Sequence, residues 1–326
     1  MKARTLLAAA ALLLLSHGLG AQNRPLLPDP PGTRFRPDTI VFLYPEGQDS
    51  PCGVAGGPVE SNGVRRQETL NDQGHLRFVG DFARFELYLP DRPNGQMVVI
   101  LPGGAYWITC IYSEGLYAAK WFTDRGITAA VLEYRMPEGH PAVPLADVQN
   151  TFRWCRENAE RLGVDQIGIM GFSAGGHLAA TASNFFTDAL TRPDFSILFY
   201  PVISMKEGIT HTGTYNNLFK NWKMVRPVIW KKYSMEEQVT ADTPPSYIVL
   251  CGDDDVVTPD NSILYYNALR AHGVEAEMHI FPTGGHGFGF TDGDNAENDI
   301  FRYARPSLET SLQAWMEKVH HAEKRK

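Results

Sequence analysis

The sequence predicts an α/β fold: a mainly parallel central sheet with antiparallel leading strands and helices on both faces. Three observations carry this. From residue 97 onward, apolar runs of strand length alternate with stretches of helical periodicity. Those runs are apolar at nearly every position, as in strands covered on both faces. The earlier run Phe82–Leu89 instead alternates at Phe85, Leu87 and Leu89, which fits a half-exposed antiparallel strand.

The chain opens with Lys2 and Arg4, an apolar run from Leu6 to Leu15, and then Ser16, Gly18, Gly20 and Ala21. This order describes a secretory signal peptide over 1–21, and the run is too short for a membrane span, which needs roughly 18 or more residues. Its removal after Ala21 leaves 305 of 326 residues and shifts the net charge from −7 to −9. A secreted or periplasmic location is expected, where disulfides can form. Cys52, Cys110, Cys155 and Cys251 allow three full pairings. Cys155, in a helical pattern, and Cys251, ending an apolar run, read as buried thiols.

Residues 22–326 are expected to form one domain. Residues 22–36 are rich in Pro and Gly and read as an extended lead-in. Strands are expected at Thr39–Tyr44, Leu76–Val79, Phe82–Leu89, Met97–Leu101, Ile127–Tyr134, Gln166–Met170, Phe195–Tyr200, Tyr247–Cys251 and Glu277–Phe281. Helices are expected at Glu114–Arg125, Leu145–Leu162, from Gly175, at Pro259–His272 and at Arg305–Val319. The stretch 204–245 interrupts this rhythm and reads as an insertion, either a lid-like segment or a structural excursion.

A composition of 43% hydrophobic residues supports a packed core and excludes disorder as the main description. The acidic balance, without a basic run, argues against nucleic-acid binding. There is no C-x-x-C or H-E-x-x-H, and neither metal nor cofactor is expected.

Gly171-Phe172-Ser173-Ala174-Gly175 lies between a strand and a helix. In that setting G-x-S-x-G is a nucleophile elbow: the small residues allow a sharp turn, and the serine stands exposed at its apex. Serine needs a base. His286 lies in Thr283–Gly289, a glycine loop directly after the last strand, and can reach the elbow. The acid comes from Asp253-Asp254-Asp255, after the strand ending at Cys251. One carboxylate turns inward to orient His286 while the others are solvated or bonded to loop amides. Asp255 is assigned, with Asp254 as the alternative. Gly103-Gly104-Ala105 follows another central strand, and the N–H groups of Gly104 or Ala105, with that of Ala174, are expected to form an oxyanion hole.

Over residues 38–318 the chain resembles the α/β-hydrolase superfamily and, within it, secreted bacterial carbohydrate esterases of the acetyl-xylan-esterase and feruloyl-esterase-like group. The resemblance rests on LPGGAYW (101–107), LEYRMPEGH (132–140), IGIMGFSAGGHLAA (167–180), TPPSYIVLCGDDDVVTPDNS (243–262) and HIFPTGGHGFG (279–289), among shorter matches. It implies an α/β-hydrolase fold and a Ser–Asp–His esterase, with the roles on Ser173, Asp255 and His286. Ala105 stands where the family has a third Gly. The segment after Thr210-His211 departs from the family pattern and leaves the substrate side open. Glu114, His177 and Arg135 match family positions, and their readings as helix cap, helix surface and loop anchor stand beside substrate contact as the alternative.

Hydrolysis of acetyl esters on an acylated polysaccharide such as xylan is the leading expectation. An aromatic pocket from Tyr106, Trp107 and Trp222 would favour feruloyl esters. A peptidase of the prolyl-oligopeptidase type lacks room for its propeller, and the intact site residues argue against a non-catalytic binding protein.

Overall fold

Continuous apolar runs become the buried centre of an eight-stranded sheet. The computed structural model describes residues 35–44, 69–70, 76–79, 83–220, 226–291 and 299–323. The expected signal segment, Cys52 and Trp222 lie outside them. In chain order the strands are β1 (Thr39–Phe42), β2 (Thr69–Leu70), β3 (Leu76–Phe78), β4 (Arg84–Tyr88), β5 (Gln96–Leu101), β6 (Thr109–Cys110), β7 (Thr128–Glu133), β8 (Gln166–Phe172), β9 (Ser196–Phe199), β10 (Ser246–Cys251) and β11 (Ala276–Phe281). The helices are α1 (Tyr117–Thr123), α2 (Ala142–Glu157), α3 (Ala159–Leu162), α4 (Ser173–Asn184), α5 (Thr212–Phe219), α6 (Arg226–Tyr233), α7 (Asp260–Ala271) and α8 (Arg305–Glu323).

The sheet order is β1-β4-β7-β5-β8-β9-β10-β11. β1/β4 and β4/β7 pair antiparallel and every later pair is parallel. Order reverses at β5: β7 returns on one side of it, and β8 to β11 step away on the other. Right-handed crossovers then put α1 on one face and α2, α4 and α7 on the opposite face. The α8 helix joins the α1 side, where Arg125 pairs with Glu309 at 3.6 Å. At its far end, the Gln96 and Gln166 side chains donate to the carbonyls of Met316 and Val319. Ligands in such sheets bind beyond the strand C-termini at the reversal, here between β5 and β8.

The structure differs from expectation at several elements. β4 is covered on both faces. The Arg84 guanidinium pairs with Glu133 at 2.7 Å, the Tyr88 hydroxyl donates to Glu86, and Phe35 stacks on Tyr88. The helix expected from Glu114 begins as a π-turn, Tyr112–Leu116, closed by the Leu116 N–H to Ile111 C=O bond of 2.8 Å. The helix expected over 145–162 starts earlier, at Ala142, and breaks at Asn158, where φ is −107°. β3, within the strand expected at Leu76–Val79, pairs with β2 and β6 in a small antiparallel sheet; β2 and β6 lie outside the expected strands, since two-residue strands carry no periodic signal. Cys155 and Cys251 are buried free thiols, and Cys110 is a half-buried one. Burial pushes the Cys251 thiol up to about 12.

Candidate active site

The β8 strand runs into α4 with no residue between them. The whole change of direction falls on Ser173, which takes φ +51°. That left-handed conformation is strained for a side-chain-bearing residue and costs of order 1–3 kcal/mol. The fold holds it because Gly175 has no side chain: a Cβ there would overlap the carbonyl oxygens of Leu101 and Pro102. The helix starts at Ser173, two residues earlier than expected. The Ala174 N–H therefore lies in the first turn, where no intrahelical acceptor exists.

His286 arrives on the loop after β11. Its Nε2 lies 2.9 Å from Ser173 Oγ, and its Nδ1 lies 2.7 Å from Asp254 Oδ2. Since a carboxylate only accepts, Nδ1 carries the proton and Nε2 accepts from the serine hydroxyl. The tyrosine ring of Tyr200 packs on the imidazole at 4.8 Å between centroids.

The acid is Asp254, which corrects the assignment of Asp255. The turn after β10 is tight, and Val257 is its buried apolar anchor. Three residues before Val257, Asp254 shares its inward phase, whereas Asp255 and Val256 face solvent. The Val256 and Val257 N–H groups donate to Asp254 Oδ1 at 3.0 and 2.8 Å, leaving Oδ2 for His286. Asp253 has a separate task. It accepts the N–H groups of Gly285 (2.8 Å) and Gly284 (3.2 Å), which brace the His286 loop and hold the Asp253 carboxyl below the usual range.

The Gly103-Gly104-Ala105 loop runs against the elbow: a Cβ on Gly103 would sit 3.0 Å from Ser173 Cβ and 2.8 Å from the Phe172 carbonyl. Gly104 takes φ +129°, and its carbonyl accepts from Trp107 and Ile108 at 2.9 and 3.1 Å. Ala105 and Tyr106 follow at φ +56° and +57°. Ala105 thus keeps a backbone form that glycine takes more cheaply. Among the described residues, the N–H groups of Gly104, Ala105 and Ala174 have no hydrogen-bond partner. The loop is anchored by Glu114, whose Oε2 accepts the Gly103 N–H at 2.7 Å, and by Asn217, whose side chain donates to the Ala105 carbonyl at 2.8 Å.

Tyr106 does not line a pocket. It is buried, and its hydroxyl meets His177 Nδ1 at 2.9 Å. His177 Nε2 faces the Tyr233 carbonyl at 2.8 Å, so Nε2 is the donor and Nδ1 accepts from Tyr106. His177 is therefore interior, against its reading as helix surface, and burial lowers its pKa to about 4. Trp107 is 41% exposed, as a substrate-facing residue must be. The segment 204–245 packs through α5 on the oxyanion loop and through Tyr233 on α4, in direct contact with the body of the fold.

Glu114 is no simple helix cap; besides Gly103 it accepts the Tyr200 hydroxyl at 2.9 Å. Arg135 matches its reading as an anchor, pairing with buried Asp147 at 2.6 Å. The roles of Tyr200, Asn217 and Asp253 had no sequence signal except Asp253's place beside the acid. Among the described residues, no three His, Cys, Asp or Glu side chains gather as a metal site would require.

A polarised serine, a base with fixed tautomer, a buried acid and free backbone donors together can carry acyl transfer. The alpha/beta hydrolase fold family matches residues 98–290. The chain is 39% identical over 225 residues to an acetylxylan esterase of Xylanibacter ruminicola, covering 68% of this chain and 45% of that protein. It is 34% identical over 213 residues to endo-1,4-beta-xylanase B of Butyrivibrio fibrisolvens, covering 60% and 33%. The chain thus spans less than half the length of these curated relatives. Among solved structures, it is similar to an acetyl ester-xyloside bifunctional hydrolase from Caldicellulosiruptor lactoaceticus, with TM-score 0.70, 28% identity, and coverage of 91% of this chain and 99% of that one. The matched residues take in the oxyanion loop, the serine elbow, Asp254 and His286, and the chain belongs to the alpha/beta hydrolase fold family.

Proposed function

We propose that the chain is a serine carboxylic-ester hydrolase that removes acetyl groups from plant polysaccharide such as xylan. We further propose that it acts outside the cytoplasm, secreted or periplasmic, after loss of residues 1–21. The observation that carries the chemistry is the unbroken chain Ser173 Oγ, His286 and Asp254 at 2.9 and 2.7 Å. The substrate class is supported by the similarity to an acetylxylan esterase.

Ser173 Oγ attacks the acetyl carbonyl carbon while His286 Nε2 takes its proton. The carbonyl oxygen becomes an oxyanion, which the N–H groups of Gly104 or Ala105 and of Ala174 stabilise. Collapse breaks the bond to the sugar oxygen, which leaves as a hydroxyl with the proton from His286. Water then attacks acetyl-Ser173, again deprotonated by His286, and its collapse releases acetate and returns the proton to Ser173. Asp254 stays ionised and stabilises the imidazolium. Exposed Trp107 favours feruloyl esters as a second reading, since an aromatic face suits a stacked acyl group.

The test is product analysis on acetylated and feruloylated xylo-oligosaccharides, with Ser173→Ala as control. Acetate release that disappears in Ser173→Ala is expected. Acetate release persisting in that variant would overturn the mechanism; ferulate as main product would overturn the substrate class.

A further inference from the structure

Glu114 is a carboxylate at 4% exposure, and among the described residues no Lys or Arg forms an ion pair with it. Burial raises its pKa above the usual carboxylate range. A group this unfavourable in the interior is kept only where its oxygens are fully engaged. Both are. Oε2 accepts the Gly103 N–H at 2.7 Å, and Oε1 accepts the Tyr200 hydroxyl at 2.9 Å. The Tyr200 oxygen in turn accepts the Gly289 N–H at 2.9 Å, while the Tyr200 ring lies against His286. Next to Glu114, the Ser113 carbonyl accepts the Phe290 N–H at 2.7 Å. One π-turn therefore grips backbone on both sides of Ser173: Gly103, adjoining the oxyanion donors, and Gly289, three residues after His286.

We propose that Glu114 and Tyr200 are positioning residues that hold the oxyanion loop and the His286 loop in register across Ser173. The inference rests on the serine-esterase reading given above. Tyr200 is the bridge: it joins the Glu114 carboxylate to the His286 loop by its hydroxyl and orients the imidazole by its ring. Among the described residues, the side-chain hydrogen bonds of both go to Gly103, Gly289 and each other, not to Ser173 Oγ or His286 Nε2.

The test is steady-state hydrolysis of an aryl acetate by Tyr200→Phe, Glu114→Gln and the double variant. Rates are normalised to sites titrated with a fluorophosphonate, and folding is followed by circular dichroism. Misplacing a reacting group by about 1 Å costs on the order of 100-fold. Tyr200→Phe keeps the ring contact and loses only the bridge, so kcat per titrated site should fall about 10- to 100-fold, with KM within about threefold. Because both residues act through one bridge, the double variant should lose little more than the worse single one. A purely structural role would lower the melting temperature and leave kcat per site unchanged. An unchanged kcat per site in folded Tyr200→Phe overturns the proposal, and that variant alone decides should Glu114→Gln not fold. Ser173→Ala run in parallel separates the two readings. If it keeps activity, the serine-esterase reading falls and takes the positioning role with it. If it is inactive while Tyr200→Phe matches wild type, only the positioning role falls.

Discussion

Replacing Asp254 by Asn should abolish most activity, and the local geometry dictates why. In the wild type Oδ1 accepts the N–H groups of Val256 and Val257 at 3.0 and 2.8 Å, while Oδ2 faces His286 Nδ1 at 2.7 Å. An asparagine has one oxygen for both tasks. With its oxygen on the two N–H groups, its NH2 faces Nδ1. Nδ1 must then accept, the ring proton moves to Nε2, and the base can no longer take a proton from Ser173. With the amide reversed, the tautomer is right, but the part-buried Val256 N–H and the buried Val257 N–H both face an NH2. Each unsatisfied group costs about 1–3 kcal/mol, so the competent orientation lies about 4 kcal/mol above the other. That leaves about one molecule in 10³ competent. Loss of the carboxylate charge beside the imidazolium removes about another tenfold, for a total near 10⁴. Asp255 faces solvent, and Asp255→Asn should stay within about twofold. The assay is kcat for an aryl acetate at pH 8 with both variants in one series. A loss below about 30-fold in Asp254→Asn, or above about tenfold in Asp255→Asn, would refute the assignment.

Two further outcomes are expected. His177 has a folded pKa near 4 against an ordinary 6.5, because burial disfavours its charged form. The unfolded chain therefore binds more protons between those values, and stability falls as pH drops through 6.5 toward 4. At pH 5 the deficit relative to pH 8 is about 2 kcal/mol. The urea midpoint of wild type should drop over that interval by more than that of His177→Gln; equal drops would disprove the assignment. Asn217→Ala frees the Ala105 carbonyl from α5, and a hydrogen bond of about 1–1.5 kcal/mol translates to roughly tenfold in kcat with little loss of melting temperature. A kcat within twofold of wild type would show that the insertion does not steady the oxyanion loop.

What could be read from the sequence was local. Ser173 announces itself by small residues on both sides within one strand-to-helix turn, and His286 by glycines directly after a strand. The acid was harder, since three identical carboxylates stand in a row and only the phase of the turn selects one. Two valines follow the carboxylates, and only the folded turn shows that Val257 is the buried one, which puts Asp254, three residues before it, on the inward side while Val256 and Asp253 are exposed. Glu114 and Tyr200 are 86 residues apart, and Tyr106 and His177 are 71 apart. No periodicity or spacing links such partners. The covered outer face of β4 was lost for the same reason, because Phe35 and Glu133 cover it from elsewhere in the chain.

The strained residues tie these two kinds of information together. Of the five non-glycine residues at positive φ among the described residues, Ala105, Tyr106, Ser173 and Tyr200 lie at the site, and Glu138 does not. Each conformation costs of order 1–3 kcal/mol and persists only where its surroundings over-determine it. At the site those surroundings are polar and distant in sequence. Asn217 holds the Ala105 carbonyl, His177 holds the Tyr106 hydroxyl, Glu114 holds Tyr200, and His286 meets Ser173. The glycines permit the sharp turns and are visible as a motif. The long-range hydrogen bonds keep the turns from relaxing and leave no motif behind. A chain carrying the glycines and the serine but lacking Asn217, His177 and Glu114 would still match G-x-S-x-G, yet its oxyanion loop would be free to settle into negative φ. The functional content of the motif resides as much in those remote side chains as in the five residues that display it.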